Sequence, residues 1–283
     1  MKPKLFRLLR TLALFYILFC MLLGALQRFL IYHPFRESEQ VLRARAAEVR
    51  GEPWHDPSGA IIGWKSSHAG KPAAANRLVV FHGNAGYALH RAYYFDGFEG
   101  IDGGHTWEVL LFEYPGYGAR SGTVSESSFI EAGMHALDSL AAADSRPIFL
   151  LGESLGSGLA SALASRAPKR VTGIFFVTPF ASLGGVASHH YGFLPVRLLL
   201  RDKWDNAAAL RSFTGPAAFL IASEDEVVTA AQGRLLFEGY AGPKRLWVKV
   251  GTHNTLDFSP DAPWWREVSD FLLAAPPAHL SPP

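Results

Sequence analysis

Cysteine is almost absent from this 283-residue chain; Cys20 is the only one. A lone thiol cannot close an intramolecular disulfide, and it excludes a cysteine-based metal site. Set in an apolar stretch, Cys20 reads as a small packing residue rather than a nucleophile. The eleven histidines contain no H-x-x-x-H spacing, and the adjacent His189 and His190 would point in different directions on a helix. No metal is expected, and no cofactor is implied. An excess of charge of one sign is also lacking: 27 Lys and Arg against 25 Asp and Glu leave a formal net charge of +2. No basic stripe interleaved with aromatics occurs, which argues against nucleic acid as a partner. Charged residues are only 18% of the chain and apolar residues 49%, a balance that excludes a disordered chain. The length admits one large α/β domain and something small in addition.

The small addition is at the start. Lys2, Lys4, Arg7 and Arg10 lead into an uncharged run from Thr11 to Leu26 that ends at Gln27-Arg28. The run is slightly short of the ~20 residues that span a bilayer. Leu5, Phe6, Leu8 and Leu9 extend it if Arg7 and Arg10 snorkel toward the headgroups. A cleaved signal peptide would need a small-x-small site between Leu22 and Arg28, and none is convincing. A lipoprotein signal would need a small residue where Phe19 stands. An uncleaved signal anchor (residues 1–30) fits best, because a buried globular helix would not crowd four cations at one end. Cations ahead of the span keep the N-terminus cytoplasmic and send the rest of the chain to the periplasmic or extracytoplasmic side. Phe29, Tyr32 and Phe35 are expected to form an interfacial aromatic belt, with Pro34 ending the helix.

Residues 31–76 read as a juxtamembrane segment: a short amphipathic helix from Glu37 to Arg50, then a β-hairpin from Trp54 to Trp64 turning at Asp56-Pro57-Ser58-Gly59. Ser66 to Asn76 is polar and loop-like. From Arg77 onward, apolar runs alternate with helical patterns: 78–81, 109–112, 147–151, 174–177, 217–221 and 246–250 as strands, with helices beginning near His90 and at Ser127, following Ser154, and closing with Trp264 to Ala274. Such alternation predicts a mostly parallel sheet with helices on both faces, here over residues 77–275. A short insertion, about 181–213, interrupts it. Residues 276–283 are Pro-rich and expected to be loose.

The chemistry centres on Gly152-Glu153-Ser154-Leu155-Gly156, between a predicted strand and a predicted helix. This is the nucleophile-elbow pattern in the strand–turn–helix context that gives it meaning. Small flanking residues let strand and helix close around a strained turn that lifts the hydroxyl clear. A serine hydroxyl is a weak nucleophile and needs a base, itself oriented by a carboxylate. His279 is in the tail, and His189 and His190 are in the insertion before any strand-end acid. His253, after a strand and a glycine turn, is the expected base. Asp225 is the expected acid, with Glu224 and Glu226 alternating toward solvent and Asp257 in reserve. The amides of Asn84 and Leu155 are the candidate oxyanion donors. His82 reads as a residue shaping its loop rather than a base. Gly83 and Tyr117 are candidate substrate contacts, although packing is the commoner role for such a tyrosine. His82, Tyr114, Ser154, Asp225 and His253 all follow strand ends, where ligands sit in open α/β sheets.

The set His82-Gly83-Asn84-Ala85-Gly86, Tyr114-Pro115-Gly116-Tyr117-Gly118, Gly152-x-Ser154-x-Gly156, Asp225-Glu226-Val227-Val228 and Gly251-Thr252-His253-Asn254 resembles the α/β-hydrolase superfamily. Within it, the chain looks like the small membrane-anchored serine hydrolases. The motifs reach from about Leu78 to Phe271, nearly the whole predicted soluble part. The resemblance implies an α/β-hydrolase fold and carries the nucleophile, acid and base roles to Ser154, Asp225 and His253. Ala222-Ser223 stand where relatives often have glycine near the acid strand.

The expected activity is cleavage of carboxylic ester or thioester bonds in an acyl or lipid-like small-molecule substrate, through an acyl-enzyme. A serine peptidase on the same fold uses the same three residues and stays open at this point. So does a catalytically silent binding or scaffold protein, against which the complete Ser154, Asp225 and His253 set argues. The apolar insertion, with Tyr191-Gly192-Phe193-Leu194-Pro195-Val196 and Leu198-Leu199-Leu200, either covers an acyl pocket or packs on the sheet.

Overall fold

Apolar runs with few polar interruptions have no solvent-facing side, so they become strands buried on both faces. In the computed structural model, which describes residues 3–68 and 73–274, they form one eight-stranded sheet. Its strands are β1 (Gly51–His55), β2 (Ile61–Ser66), β3 (Asn76–Phe81), β4 (Trp107–Phe112), β5 (Ile148–Glu153), β6 (Val171–Val177), β7 (Ala217–Ala222) and β8 (Lys244–Lys249). Their spatial order is β1-β2-β4-β3-β5-β6-β7-β8. The hairpin β1–β2 is antiparallel and joins β4 antiparallel; every pairing from β4 to β8 is parallel. At the hairpin turn, Asp56 Oδ1 accepts from the backbone N–H of Ser58 (2.8 Å) and Ala60 (3.1 Å). Part of the expected loop from Ser66 to Asn76, and the tail from Ala275 to Pro283, lie outside the described residues.

The helices are α1 (Pro3–Ile31), α2 (Glu39–Glu48), α3 (Tyr93–Asp102), α4 (Glu126–Ala143), α5 (Leu155–Arg166), α6 (Leu183–His190), α7 (Val196–Leu199), α8 (Asn206–Ala209), α9 (Ala230–Gly239) and α10 (Trp264–Ala274). Strand side chains alternate between the two faces. Val79, Phe81, Leu150, Ile174 and Phe219 pack with α4, α5 and α9. Leu78, Val80, Leu151, Phe175 and Leu220 pack with α2, α3 and α10. Most boundaries differ from the sequence reading by one to three residues, and two differences change the local structure. β6 starts at Val171, and the helix expected at His90 begins as a 3₁₀ turn, Ala88–Arg91, before α3.

α1 is longer than the uncharged run suggested. Its 29 residues extend through Arg7 and Arg10 and stop at Ile31, ahead of Pro34. At 1.5 Å per residue it is roughly 43 Å long. It is the one helix among the described residues long and apolar enough to cross a membrane, and the apolar stretch is only 6% buried. Beyond it, His33–Pro34 pairs in parallel with Ala85–Gly86.

The insertion does not lie flat on the sheet. It runs alongside α1 and is fastened to it at several levels. Tyr16 Oη donates to the Phe193 carbonyl (2.8 Å), and Gln27 Nε2 donates to the Leu199 carbonyl (3.0 Å). Gln27 Oε1 accepts from the Arg201 N–H (2.6 Å). Arg28 donates to both oxygens of Asp202 (3.2 and 3.1 Å). Tyr32 Oη donates to Asp202 (2.9 Å) and accepts from Trp204 Nε1 (3.0 Å). The expected aromatic belt is therefore corrected at Tyr32: this ring is 3% exposed and belongs to the core, whereas Phe29 and Phe35 do stand in the open. Burial beside the Asp202 carboxylate pushes the Tyr32 phenol far above its ordinary pKa, so it remains a donor.

Tyr32→Phe removes that hydroxyl and strands Trp204 Nε1 in the core. The expected cost is about 1–3 kcal/mol, seen as a lowered melting temperature in detergent. A melting temperature equal to wild type would contradict it.

Candidate active site

Ser154 lies between β5 and α5 at φ +50°, ψ −114°, a conformation that a residue with a side chain adopts only at a cost of about 1–3 kcal/mol. Its N–H is held by the Val177 carbonyl at 2.9 Å. The flanking glycines have separate reasons. A Cβ on Gly152 would sit 2.6 Å from Ser157 Cα, and one on Gly156 would sit 2.0 Å from the Phe81 carbonyl oxygen. Neither backbone can give way, so only glycine lets α5 start this close to β5 and β3.

His253 follows β8 through Gly251, which has φ +147°. The Gly251 carbonyl accepts from the Glu224 N–H (3.0 Å), locking the two strand-end loops together. Across them, Asp225 Oδ2 accepts from His253 Nδ1–H (2.7 Å), and Ser154 Oγ stands 3.0 Å from His253 Nε2. Asp225 Oδ1 accepts from the N–H groups of Val227 (2.9 Å) and Val228 (2.7 Å), which fixes the carboxylate plane. Three residues distant in sequence are thus joined, hydroxyl to imidazole to carboxylate.

Among the described residues, the N–H groups of Asn84 and Leu155 donate to no protein acceptor. Leu155 opens α5, which has no side-chain cap, so its amide belongs to the unsatisfied first turn. Gly83, in the loop after β3, lies close to the serine: a Cβ there would be 3.7 Å from Ser154 Cβ. The Asn84 side chain faces away from the serine. Its Nδ2 donates to the Ile31 carbonyl at the end of α1, and its Oδ1 accepts from the His33 N–H (3.2 Å) and Tyr117 Oη (3.4 Å).

Tyr117 is a correction. It is fully buried against Tyr114, Phe129 and His82, so it offers no surface to a substrate and instead braces Asn84 from below. Burial raises its phenol above the ordinary range and keeps it a proton donor. His82 is equally enclosed. Its Nδ1 donates to the Gly83 carbonyl (2.7 Å) while its own carbonyl accepts from Tyr114 Oη (2.6 Å), which shapes the loop. Asp257 does not approach His253; it accepts from the Ser259 N–H at 2.9 Å. His190 reaches the acid loop, where Nε2 donates to the Val227 carbonyl (2.9 Å). Among the described residues no group of three His, Cys, Asp or Glu side chains could hold a metal ion.

One cluster went unread in the sequence. Glu153, beside the serine, turns to the opposite side of β5 and accepts from Arg91 Nε (2.9 Å) and Nη2 (2.7 Å), and from Tyr93 (2.9 Å) and Tyr94 (3.2 Å). Burial by itself would raise the Glu153 pKa. The Arg91 charge and the hydrogen bonds outweigh it and hold the carboxyl below the usual range. The pair borders Gly83, whose added Cβ would meet Glu153 Oε1 at 3.0 Å and Arg91 Nη2 at 3.1 Å. A carboxylate at the end of an otherwise apolar strand was the available signal, because it needs a cationic partner.

The strand order and the strained serine after β5 define an α/β-hydrolase architecture. Residues 76–199 match the alpha/beta hydrolase fold family, and a protein of Mycobacterium tuberculosis described only as uncharacterized is 32% identical over 196 residues, covering 68% of this chain and 67% of that one. The chain belongs to the alpha/beta hydrolase family. A more distant relative is the lysophosphatidylserine lipase ABHD12 of Macaca fascicularis, 26% identical over 239 residues; the match covers 73% of this chain and 58% of that protein. Among solved structures, the Pyrococcus furiosus esterase Pf2001 superimposes with a TM-score of 0.64 at 17% identity, covering 87% of this chain and 97% of its own. Est1E from Butyrivibrio proteoclasticus superimposes with a TM-score of 0.60 at 14% identity, over 79% and 99% of the two chains. At such identities the likeness is one of fold. The protein is an α/β hydrolase with a lipase among its relatives and esterases among its structural neighbours.

Arg91→Met leaves Glu153 buried without its counter-charge, at an expected cost of about 3 kcal/mol at neutral pH. A depressed folded-state pKa stabilises above the unfolded carboxylate pKa, about 4.3, and that stability disappears as pH falls through the lower folded value. The gap between wild type and variant in denaturant unfolding is therefore expected to narrow below about pH 4. A gap independent of pH would contradict the pairing.

Proposed function

We propose that this protein is a membrane-anchored serine hydrolase that cleaves carboxylic ester or thioester bonds in acyl or lipid-like substrates. The observation that carries this reading is the hydrogen-bonded series Asp225–His253–Ser154, at 2.7 and 3.0 Å, beside two free amides. Ser154 Oγ attacks the carbonyl carbon as His253 Nε2 takes its proton. Asp225 keeps Nδ1 protonated and stabilises the imidazolium. The negative charge that develops on the carbonyl oxygen falls to the N–H groups of Asn84 and Leu155, aided by the N-terminus of α5. His253 then protonates the departing alkoxide or thiolate, leaving an acyl-Ser154 ester. Water, deprotonated by His253, attacks that ester and releases the acid and the free serine.

The membrane part of the proposal rests on α1. Its apolar surface is exposed along nearly its whole length, a state that water penalises and lipid does not. In this reading residues 1–30 form the anchor and 77–275 the catalytic domain. Lys2, Lys4, Arg7 and Arg10 keep the N-terminus cytoplasmic, with the catalytic domain on the periplasmic or extracytoplasmic side. Arg28, in the last turn of α1, is compensated by Asp202 and so opposes this orientation little. The lysophosphatidylserine lipase relative supports a lipid-like acyl substrate.

A fluorophosphonate probe is expected to label the wild-type chain and not Ser154→Ala. Asp225→Asn is expected to lower kcat on a short acyl ester by on the order of 10⁴-fold, the scale of losing an orienting carboxylate. Labelling that survives Ser154→Ala, or an Asp225→Asn enzyme of near-normal kcat, would overturn the mechanism. Hydrolysis of peptides in preference to any acyl ester would overturn the substrate class.

A further inference from the structure

Between α1 and the insertion runs an apolar cavity of about 380 Å³ that the reaction as written leaves unused. One wall is a stripe of α1 that includes Phe19, Leu23 and Ile31, spaced to share a helix face. The other wall includes Ala187 of α6, with Val196 and Leu199 of α7. The amide of Gln27 in the lining is already committed, its Nε2 to the Gly24 and Leu199 carbonyls and its Oε1 to the Arg201 N–H. A ligand here meets mainly hydrocarbon.

None of Ser154, Asp225 and His253 lines the cavity, but hydrogen bonds tie the elements of both walls to the loops that carry them. Ile31 ends the α1 wall, and its carbonyl holds the Asn84 side chain, one residue from Gly83 and the serine. At the end of α6, His190 holds the Val227 carbonyl, and the Val227 N–H holds Asp225. The far end is bounded by the tip of the insertion, where Tyr191 and Phe193 are 54% and 69% exposed. The Tyr16–Phe193 hydrogen bond places that tip roughly 16 Å along α1 from Gln27, at 1.5 Å per residue. With α1 in a bilayer, the tip is at the level of the lipid chains.

We propose that this cavity is the acyl-chain site, and that a single-chain lipid enters it sideways from the bilayer, between α1 and the insertion, to present its carbonyl to Ser154. The proposal rests on the serine-hydrolase reading above. The occupant follows from three features: an apolar lining, a mouth where acyl chains are the surrounding solvent, and a volume of about a dozen water-sized units, which suits one chain rather than two. The anchor helix is then one wall of the binding site.

Two measurements on the full-length chain decide it. Ala187→Trp fills the cavity, and the ratio of kcat/KM for palmitoyl over butyryl 4-nitrophenyl ester is expected to fall at least about tenfold, the scale of discrimination in an apolar pocket. An unchanged ratio overturns the proposal. Independently of the variant's folding, a palmitoyl lysophospholipid carrying a diazirine near the chain end is presented to Ser154→Ala in phosphatidylcholine vesicles. Adducts are expected to concentrate on the Phe19–Leu23–Ile31 stripe and on residues 187–199, and to be displaced by unlabelled lysophospholipid. Adducts spread evenly around α1 overturn the proposal. This binding readout needs no turnover, so wild-type chain that resists fluorophosphonate but still shows the localised adducts would sink the serine mechanism while leaving the cavity assignment standing.

Discussion

The close approach of α5 to β3 governs the rest of the site. Gly156 lies so near the Phe81 and His82 carbonyls that no side chain fits between them. That contact forces the chain between β5 and α5 through the positive-φ turn at Ser154 and leaves the first amides of α5 unpaired. It also holds the β3 loop against the elbow, so that Gly83 stands beside the serine. The sheet beneath supplies the stiffness. Its central strands are buried on both faces, so a slip in register would disrupt the packing of two apolar cores at once.

A second set of polar contacts joins the sheet and its helices to the parts that look peripheral. Asp202, 3% exposed, collects hydrogen bonds from Arg28 and Tyr32, and Tyr32 in turn accepts from Trp204. Trp204 packs against Gly158 in α5, where a Cβ would come within 2.6 Å of the indole. From that helix, Ser157 accepts from Asn206, whose amide also donates to the Phe180 carbonyl. A continuous path of close contacts therefore links the end of α1, the insertion and the helix that carries the serine. Asn84 adds a shorter route, from the Ile31 carbonyl to the loop after β3. Removing α1 would take away partners of Asn84 and Asp202 together.

Legibility from sequence followed the range of each interaction. The strands, the hairpin turn at Asp56 and the helix Trp264–Ala274 were readable because apolar period and turn chemistry are local properties. Ser154, Asp225 and His253 were readable as candidates because each follows a strand and carries a residue type the chemistry needs. Tyr117 and Tyr32 were misplaced for one reason. A tyrosine in a loop or beside an apolar helix looks amphipathic in sequence, and whether its hydroxyl finds an internal partner depends on residues far away. Tyr32 finds Asp202, 170 positions later, and Tyr117 finds Asn84, 33 positions earlier. The Glu153–Arg91 pair was missed because 62 residues separate its members, Glu153 fills a variable position of the elbow pattern and Arg91 belongs to no motif.

By itself, the sequence determined the order of strands and helices along the chain, the apolar character of α1 and the glycines that permit the elbow, because these are set by side-chain size and by hydrophobicity repeating over a few residues. Tertiary structure decided that the insertion grips α1 instead of lying flat on the sheet, and that Tyr32 and Tyr117 turn inward. It also decided that a mostly apolar space remains between α1 and the insertion. Those outcomes come from pairing buried polar groups across long stretches of chain, and a buried donor accepts whichever partner the completed packing brings to it.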